Sequence, residues 1–130
     1  MEQEKKEFRV IIAGTRAFGD YGLLCRTCDR LLAEKRQTHH ITVVSGTARG
    51  ADTLGERYAH ERGFAVRRFV PDWERLSTRA GLVRNCEMAR NADALVAFWD
   101  GISRGTAHMV GEARRRGLAV RVIQYKNQDR

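Results

Sequence analysis

Glycine, hydroxyl and arginine residues recur together at three places along the chain, each directly after an apolar run. Glycine lets a backbone approach an anion, Ser and Thr add donors, and arginine offers paired donors to a phosphate. A helix that begins after such a turn adds free amides and a partial positive charge. The pattern predicts a site for a phosphate-bearing ligand. Its members are Gly14, Thr15, Arg16, Ser45, Gly46, Thr47, Arg49, Gly50, Asp52, Gly101, Ser103, Arg104, Gly105 and Thr106.

Each turn taken alone has a plainer interpretation, in which glycine makes a tight turn and Ser, Thr or Asp caps the next helix. We favour ligand binding because three such turns, each with an arginine, would converge on one edge of a sheet. None of them matches G-x-G-x-x-G or the P-loop G-x-x-x-x-G-K-[ST], which argues against an ordinary dinucleotide dehydrogenase or NTPase. Two roles remain open for Asp52: it caps its helix, or it binds the hydroxyls of a ribose.

Three further residues are candidates for the same ligand. Arg84 and Asn85 fall on a predicted helix, where Arg84 either reaches a phosphate or lies on a solvated face. Trp73 follows Pro71 in a predicted loop, and stacking on a base and packing are equally open for it. Trp99 ends an apolar strand, so core packing is favoured there.

General acid–base chemistry would need a titratable group near the ligand. The candidates are Asp100, His108 and Glu112, and catalytic residues otherwise stay unknown. His108 stands out because the unperturbed imidazole pKa lies near neutrality. We expect Glu112 to be solvated rather than catalytic.

The elements that must position these residues alternate along the chain. Apolar runs predict buried strands, and apolar residues at helical spacing predict helices. Alternation of this kind implies right-handed crossovers and a parallel sheet. Ligands in such sheets bind at the carboxyl ends of the strands. We predict strands at 8–13, 41–44, 65–70, 94–99 and 118–124, helices at 21–36, 51–62, 79–91 and 106–116, and a loop at 71–78.

The fold class is therefore α/β, with one Rossmann-like three-layer domain over residues 1–130. We expect a five-stranded, mainly parallel sheet with helices on both faces. The segments 1–7 and 126–130 are expected to be flexible tails. No apolar run approaches the roughly 20 residues of a membrane helix, and the charged N-terminus does not resemble a signal peptide. We therefore expect a cytoplasmic protein with no membrane partner.

The formal net charge is +8, which suits phosphate-bearing partners or reflects a bias towards arginine. Nucleic-acid binding is the less favoured outcome of this charge, since the basic residues are interleaved with acidic ones.

The cysteines are Cys25, Cys28 and Cys86, and no second C-x-x-C pair completes a zinc ribbon. Metal-ligand types are not clustered along the chain, so we predict no metal site. The adjacent His39 and His40 are predicted to be loop residues.

Several segments together resemble the SLOG superfamily, and in particular its YspA-related family. They are V-I-I-A-G-T-R-A-F at 10–18, V-V-S-G-T-A-R-G-A-D at 43–52, Trp73, R-N-C-E-M at 84–88 and A-F-W-D-G-I-S-R-G-T-A-H-M at 97–109. The resemblance covers nearly the whole chain in order. It implies a Rossmann-like fold and a nucleotide-derived ligand at the glycine-rich turns.

Two related families imply different activities. The LOG phosphoribohydrolases carry P-G-G-x-G-T-x-x-E and R-K-x-x-M; Arg84 and Met88 match the second motif, and Gly105 and Thr106 match part of the first. Met109 stands where that family has its glutamate, which counts against N-glycosidic hydrolysis. The Smf family, whose members bind single-stranded DNA, has a V-S-G-x-A-x-G-I-D turn that is similar to residues 44–52.

The favoured hypothesis is a sensing or carrier domain for a nucleotide or nucleotide derivative, with no other cofactor. The alternatives are a nucleotide-processing hydrolase, acting on an N-glycosidic or phosphate bond, and a single-stranded DNA-binding protein. The aliphatic residues of the first helix are compatible with a homo-oligomer.

Overall fold

The computed structural model describes residues 5–126. Residues 1–4 and 127–130 of the expected flexible tails lie outside the described residues. The strands are β1 (Lys6–Gly14), β2 (His39–Ser45), β3 (Ala65–Arg68), β4 (Ala94–Trp99) and β5 (Ala119–Gln124). The helices are α1 (Tyr21–Leu32), α2 (Lys35–Thr38), α3 (Ala51–Arg62), α4 (Trp73–Leu76), α5 (Ala80–Arg90) and α6 (Arg104–Arg115).

The five strands form one parallel sheet in the order β3-β2-β1-β4-β5. The central strand β1 pairs with β2 on one side and with β4 on the other, with Val10 opposite Val43 and Ala94. The predicted α/β fold is confirmed, and every strand pair is parallel. Within residues 5–126, no helix is long and apolar enough to span a membrane.

Helices α1 and α3 cover one face of the sheet, and α5 and α6 cover the other. Alternate residues of β1 serve the two cores, with Val10 and Ile12 on the α1–α3 side and Ile11 and Ala13 on the α5–α6 side. A strand that is buried on both faces is apolar at consecutive positions for this reason. Gly55 lets α3 lie close to the sheet, because a Cβ there would be 2.8 Å from Ile12 Cγ2.

Several strand boundaries differ from the prediction. Lys6 and Glu7 belong to β1 and not to a tail, because they pair with His39 and His40 of β2. The prediction that these two histidines are loop residues was therefore wrong. Backbone pairing with β1 extends β2 beyond its apolar centre, which is the only part that hydropathy detects.

The helices also differ from the prediction, and the last of them begins at Arg104, two residues before its predicted start. The first helix ends at Leu32, and the separate short helix α2 follows it. The segment 71–78, predicted to be a loop, contains α4, which Asp72 caps by accepting a hydrogen bond from the Arg75 amide at 3.1 Å. A helix of one turn is too short to show a hydrophobic period, so the sequence pattern did not reveal it.

Candidate functional site

The carboxyl ends of β1 and β4 form the floor of the site. The chain leaves β1 towards β2 and leaves β4 towards β5, so the gap between them is the topological switch point of the sheet. The Thr15 amide donates to the Phe98 carbonyl at 3.0 Å, and the Asp100 amide donates to Thr15 Oγ1 at 3.1 Å. A Cβ at Gly14 would lie 2.2 Å from the Phe98 carbonyl oxygen, so only glycine fits there.

The turn after β2 packs directly on the turn after β1. Gly50 has a φ of +77°, and a Cβ there would lie 2.4 Å from the Thr15 carbonyl oxygen and 2.5 Å from that of Arg16. Glycine is required on both counts. The amide of Ala51 also donates to the Thr15 carbonyl at 3.5 Å. The three glycine-rich turns therefore meet at one edge of the sheet.

Two adjacent cavities open at this edge, with volumes of about 90 and 270 Å³. Both are lined by Arg16, Ala48 and Arg84, so we treat them as one feature, the turn cleft. The predicted ligand residues in the smaller cavity are Gly14, Arg16, Asp52, Arg84, Asn85, Ser103, Gly105 and Thr106. Those in the larger cavity are Arg16, Gly46, Thr47, Arg49, Trp73 and Arg84.

Five predicted ligand residues line neither cavity, namely Thr15, Ser45, Gly50, Gly101 and Arg104. Thr15 and Gly50 hold the turns together, as described above. Gly101, with a φ of +85°, closes the turn after β4. Arg104 is exposed at the first position of α6.

Ser45 is fully buried and its hydroxyl is engaged within the protein. It donates to Glu56 Oε2 at 2.6 Å and accepts from the Thr47 amide at 3.1 Å. Thr47 has a φ of +66°, in the left-handed region that β-branched residues rarely adopt. Backbone strain of this kind concentrates at ligand sites, and here it lies in the wall of the turn cleft.

Asp52 and Arg84 are the charged residues that reach deepest into the cleft. Asp52 is only 5% exposed, and its Oδ2 accepts a hydrogen bond from the Ala48 amide at 3.2 Å. Burial raises the pKa of Asp52 to about 6, against the opposing effects of the Ala48 amide and of Arg84. Arg84 donates to the Gly46 carbonyl, and burial lowers the pKa of its guanidinium. The chain thus places a carboxyl group and a cation in a partly desolvated pocket.

The other arginines of the turns remain available to an anion. Arg16, Arg49 and Arg104 are exposed, and none forms an ion pair with a carboxylate within residues 5–126. Arg68, close by at the end of β3, differs because it is paired with Glu56. Of the three, Arg16 and Arg49 line the turn cleft, and guanidiniums without a carboxylate partner there favour an anionic ligand.

Asp100 is committed to the turn after β4. Its Oδ1 accepts hydrogen bonds from the Ile102 and Ser103 amides, both at 2.9 Å. These backbone donors, that of Ser103 first, lower the pKa of Asp100. A carboxylate stabilised in its ionised form is a weak general acid or base at neutral pH. Ser103 in turn caps α6, accepting from the Thr106 amide at 3.4 Å.

His108 and Glu112 do not line the turn cleft. Burial, and then the charge of Arg115, lower the pKa of His108, and Asn85 Nδ2 lies 3.1 Å from its Nδ1. The expectation that Glu112 is solvated was wrong, because it is 5% exposed, pairs with Arg115 and accepts from Cys86 Sγ at 3.1 Å. Buried carboxylates need such partners.

We predicted no metal site because the metal-ligand residue types are not clustered along the sequence. In the fold, however, three of them lie close together. Cys86, His108 and Glu112 bring one donor atom each to within 4.8 Å of one another. Cys86 lies on α5 and the other two on α6, so their proximity depends on how those helices pack. The only local signal is the spacing of His108 and Glu112, four residues apart on one helix face.

The two tryptophans have different environments. Trp99 donates its indole N–H to the Ser103 carbonyl at 3.0 Å, which is a structural contact. Trp73 is 51% exposed and lines the larger cavity beside Val70 and Pro71. Met88 and Met109 also line the smaller cavity, although neither was predicted to be a ligand residue.

A parallel α/β sheet with glycine-rich turns at its switch point defines the Rossmann-like class of folds. Residues 8–76 match the profile of the YspA, cpYpsA-related SLOG family. The Gene 61 protein of Mycobacterium phage D29 is 39% identical over 119 residues, which cover 86% of this chain and 93% of that protein. The chain belongs to the YspA, cpYpsA-related SLOG family.

Two solved structures share the fold. DNA processing protein A (DprA) from Streptococcus pneumoniae has a TM-score of 0.70 at 17% identity, with 95% of this chain and 52% of that chain covered. The chain therefore spans about half the length of that protein. The structural genomics target TM1055 has a TM-score of 0.59 at 25% identity, with 90% of this chain and 72% of that chain covered.

Proposed function

We propose that this chain binds a nucleotide or nucleotide-derived phosphate ligand in the turn cleft, as a sensing or carrier domain. The observation that carries the proposal is the convergence of three glycine-rich turns on the switch point of the sheet, together with Arg16 and Arg49, which form no ion pair within residues 5–126. Membership of the SLOG family supports it.

The phosphate is assigned to the smaller cavity. Gly105 and Ser103 lie there at the beginning of α6, whose first amides have no acceptor within the helix. The partial positive charge of the helix N-terminus and the guanidinium of Arg16 would both stabilise an anion at this place. Gly14 lets the backbone of the first turn approach the phosphate closely.

The base is assigned to the larger cavity. Trp73, Val70 and Pro71 form an apolar wall there, and an exposed indole is a surface on which an aromatic base stacks. Asp52 belongs to the smaller cavity, and Ala48 and Arg84 beside it line both cavities. A ribose between phosphate and base would therefore place its hydroxyls within reach of this carboxyl.

A thermal-shift screen of the whole chain against nucleotides, NAD, ADP-ribose and cyclic nucleotides tests the proposal. A ligand that binds only the native state raises the unfolding temperature, and the stabilisation grows with the logarithm of the ratio of ligand concentration to Kd once that ratio is large. Calorimetry on the best ligand should show affinity about 10- to 100-fold lower for Arg16→Ala, since a hydrogen bond to a charged group contributes about 1.5–3 kcal/mol. Arg90→Ala removes an exposed arginine at the far end of α5 and is the matched control.

Chromatography of each mixture separates the outcomes. An intact ligand supports a sensing or carrier role. A consumed ligand would replace that role with a nucleotide-processing hydrolase, and the product would identify the bond. If no compound shifts the unfolding temperature, or if Arg90→Ala weakens binding as much as Arg16→Ala, the proposed site is wrong.

Single-stranded DNA binding is a second candidate, favoured by the net charge of +8 and by the fold likeness to a protein whose name records DNA processing. Titration with a fluorescent oligonucleotide at several salt concentrations distinguishes it. Affinity for a nucleic-acid backbone falls steeply with salt, because bound counterions are released. A mononucleotide held in a cavity would show a much weaker dependence.

A further inference from the structure

The side chains of Cys86, His108 and Glu112 meet between α5 and α6, outside the turn cleft. Their donor atoms lie within 4.8 Å of one another. Glu112 is buried, and the other two side chains are partly exposed at the surface between the helices. An ion arriving from solvent would therefore reach the cluster without opening the core.

We propose that these three residues bind a divalent transition-metal ion of the zinc class. Thiolate, imidazole and carboxylate are the three ligand types that proteins use for zinc. Zinc–ligand bonds of about 2.0–2.3 Å require the donors to move together by only a small amount from their present spacing. Three protein ligands leave a fourth position for water or an exogenous ligand.

The hydrogen bonding of the cluster indicates where the ion would lie. Cys86 Sγ donates its proton to Glu112 Oε1 at 3.1 Å, while Arg115 pairs with the other carboxylate oxygen. A metal ion would take the place of that proton: the S–H bond breaks, a sulfur–metal bond forms, and one proton is released to solvent. Arg115 would stay on Oε2 and orient the carboxylate, leaving Oε1 for the ion.

An ion at this position would tie the two helices that wall the turn cleft. Asn85, which contacts His108 at 3.1 Å, lines the smaller cavity, and so does Thr106 on α6. The metal site requires no nucleotide, so its test is independent of the proposed function. If the turn cleft also binds its proposed ligand, metal binding would make the wall formed by α5 and α6 more rigid.

Cobalt(II) titration of the full chain, with the thiols kept reduced by a phosphine, tests the assignment. Co²⁺ accepts zinc-type ligands, and a thiolate bond to it gives a strong charge-transfer absorption in the near ultraviolet. We expect one Co²⁺ per chain, displacement by Zn²⁺ and release of protons on binding. Cys86→Ser should abolish the absorption, and His108→Ala and Glu112→Gln should each weaken binding at least about tenfold.

Cys25→Ser is the matched control, because Cys25 is also a partly exposed cysteine on a helix and is not part of the cluster. It should leave the titration unchanged. Circular dichroism and unfolding curves of each variant establish that the chain is folded, and Cys86→Ala repeats the test without a hydroxyl. The proposal is overturned if the parent chain shows no thiolate absorption with excess Co²⁺, or if Cys25→Ser removes it and Cys86→Ser does not.

Discussion

The carboxyl group of Asp52 and the guanidinium of Arg84 approach each other over the α-carbon of Gly46. A Cβ at that glycine would lie 2.9 Å from Asp52 Oδ2 and 3.0 Å from Arg84 Nη1. The two side chains come from α3 and α5, on opposite faces of the sheet, and both lie beside Gly46 above its edge. The absence of a side chain at Gly46 leaves room for both groups.

The first prediction concerns the pH dependence of stability. Burial raises the pKa of Asp52 from 3.8 to about 6, so the folded state holds this proton more tightly than the unfolded chain does. The contribution of Asp52 protonation to the free energy of unfolding is fully present below about pH 4 and is lost as the pH rises through 6. A shift of about two pKa units corresponds to about 2–3 kcal/mol. The free energy of unfolding of Asp52→Asn, relative to the parent, should therefore rise by this amount between pH 4 and 7.

Urea unfolding at a series of pH values measures that difference directly. Asp72→Asn removes an exposed carboxyl and serves as the control. If the plots of unfolding free energy against pH for the parent and Asp52→Asn differ only by a constant, the pKa of Asp52 is not raised. If Asp72→Asn shows the same pH-dependent rise relative to the parent, burial of Asp52 is not the cause of the rise.

The second prediction concerns the contact between the first and fourth strands. Gly14→Ala should lower the free energy of unfolding by about 3 kcal/mol, because its Cβ would collide with the Phe98 carbonyl and neither backbone can move freely. Gly19→Ala, whose Cβ meets nothing within 4 Å, should change it by less than about 0.5 kcal/mol. Chemical unfolding of both variants is the measurement, and similar losses in the two would contradict the close approach.

The third prediction uses the two tryptophans of the chain as reporters. If the base of a ligand stacks on Trp73, binding should quench indole fluorescence in the parent and in Trp99→Phe. The quenching should disappear in Trp73→Phe, because the remaining indole, that of Trp99, does not line the larger cavity to which the base is assigned. Quenching that survives in Trp73→Phe would remove this residue from the base site.

The fourth prediction contrasts two glycines at which an added Cβ meets open space. Gly111 lies within α6 in a helical conformation, so Gly111→Ala should stabilise the fold by about 0.5–1 kcal/mol. Gly63 lies at the C-terminal end of α3 with a φ of +74°, and Gly63→Ala should destabilise the fold by about 1 kcal/mol. Thermal and urea unfolding measure the change in stability of each variant. If both variants change stability in the same direction, backbone conformation does not determine the effect of the substitution.

Local pattern was sufficient to predict the fold and the turns. Each buried strand is a run of consecutive apolar residues, and each of the three turns follows one of them, so their convergence comes directly from the parallel topology. The pairing of Lys6 and Glu7 with β2 escaped prediction because backbone hydrogen bonds leave no trace in hydropathy.

The side-chain environment of the helices was harder to predict. Glu112 follows the buried Met109 and Val110 around α6, yet a carboxylate is buried only where other segments supply partners. Those partners include Cys86, 26 residues earlier on another helix. The rotation of α5 against α6 decides this contact, and no periodicity within either helix encodes it.

The contact of Gly50 with the backbone of Thr15 and Arg16 has a consequence for the cost of recognition. Two loops that were held separately would each lose conformational entropy when a ligand ordered them. Here the interlocked backbones have already lost it during folding, so the cleft is preorganised before any ligand arrives. Changes that loosen this interlock should weaken binding without removing a single ligand contact.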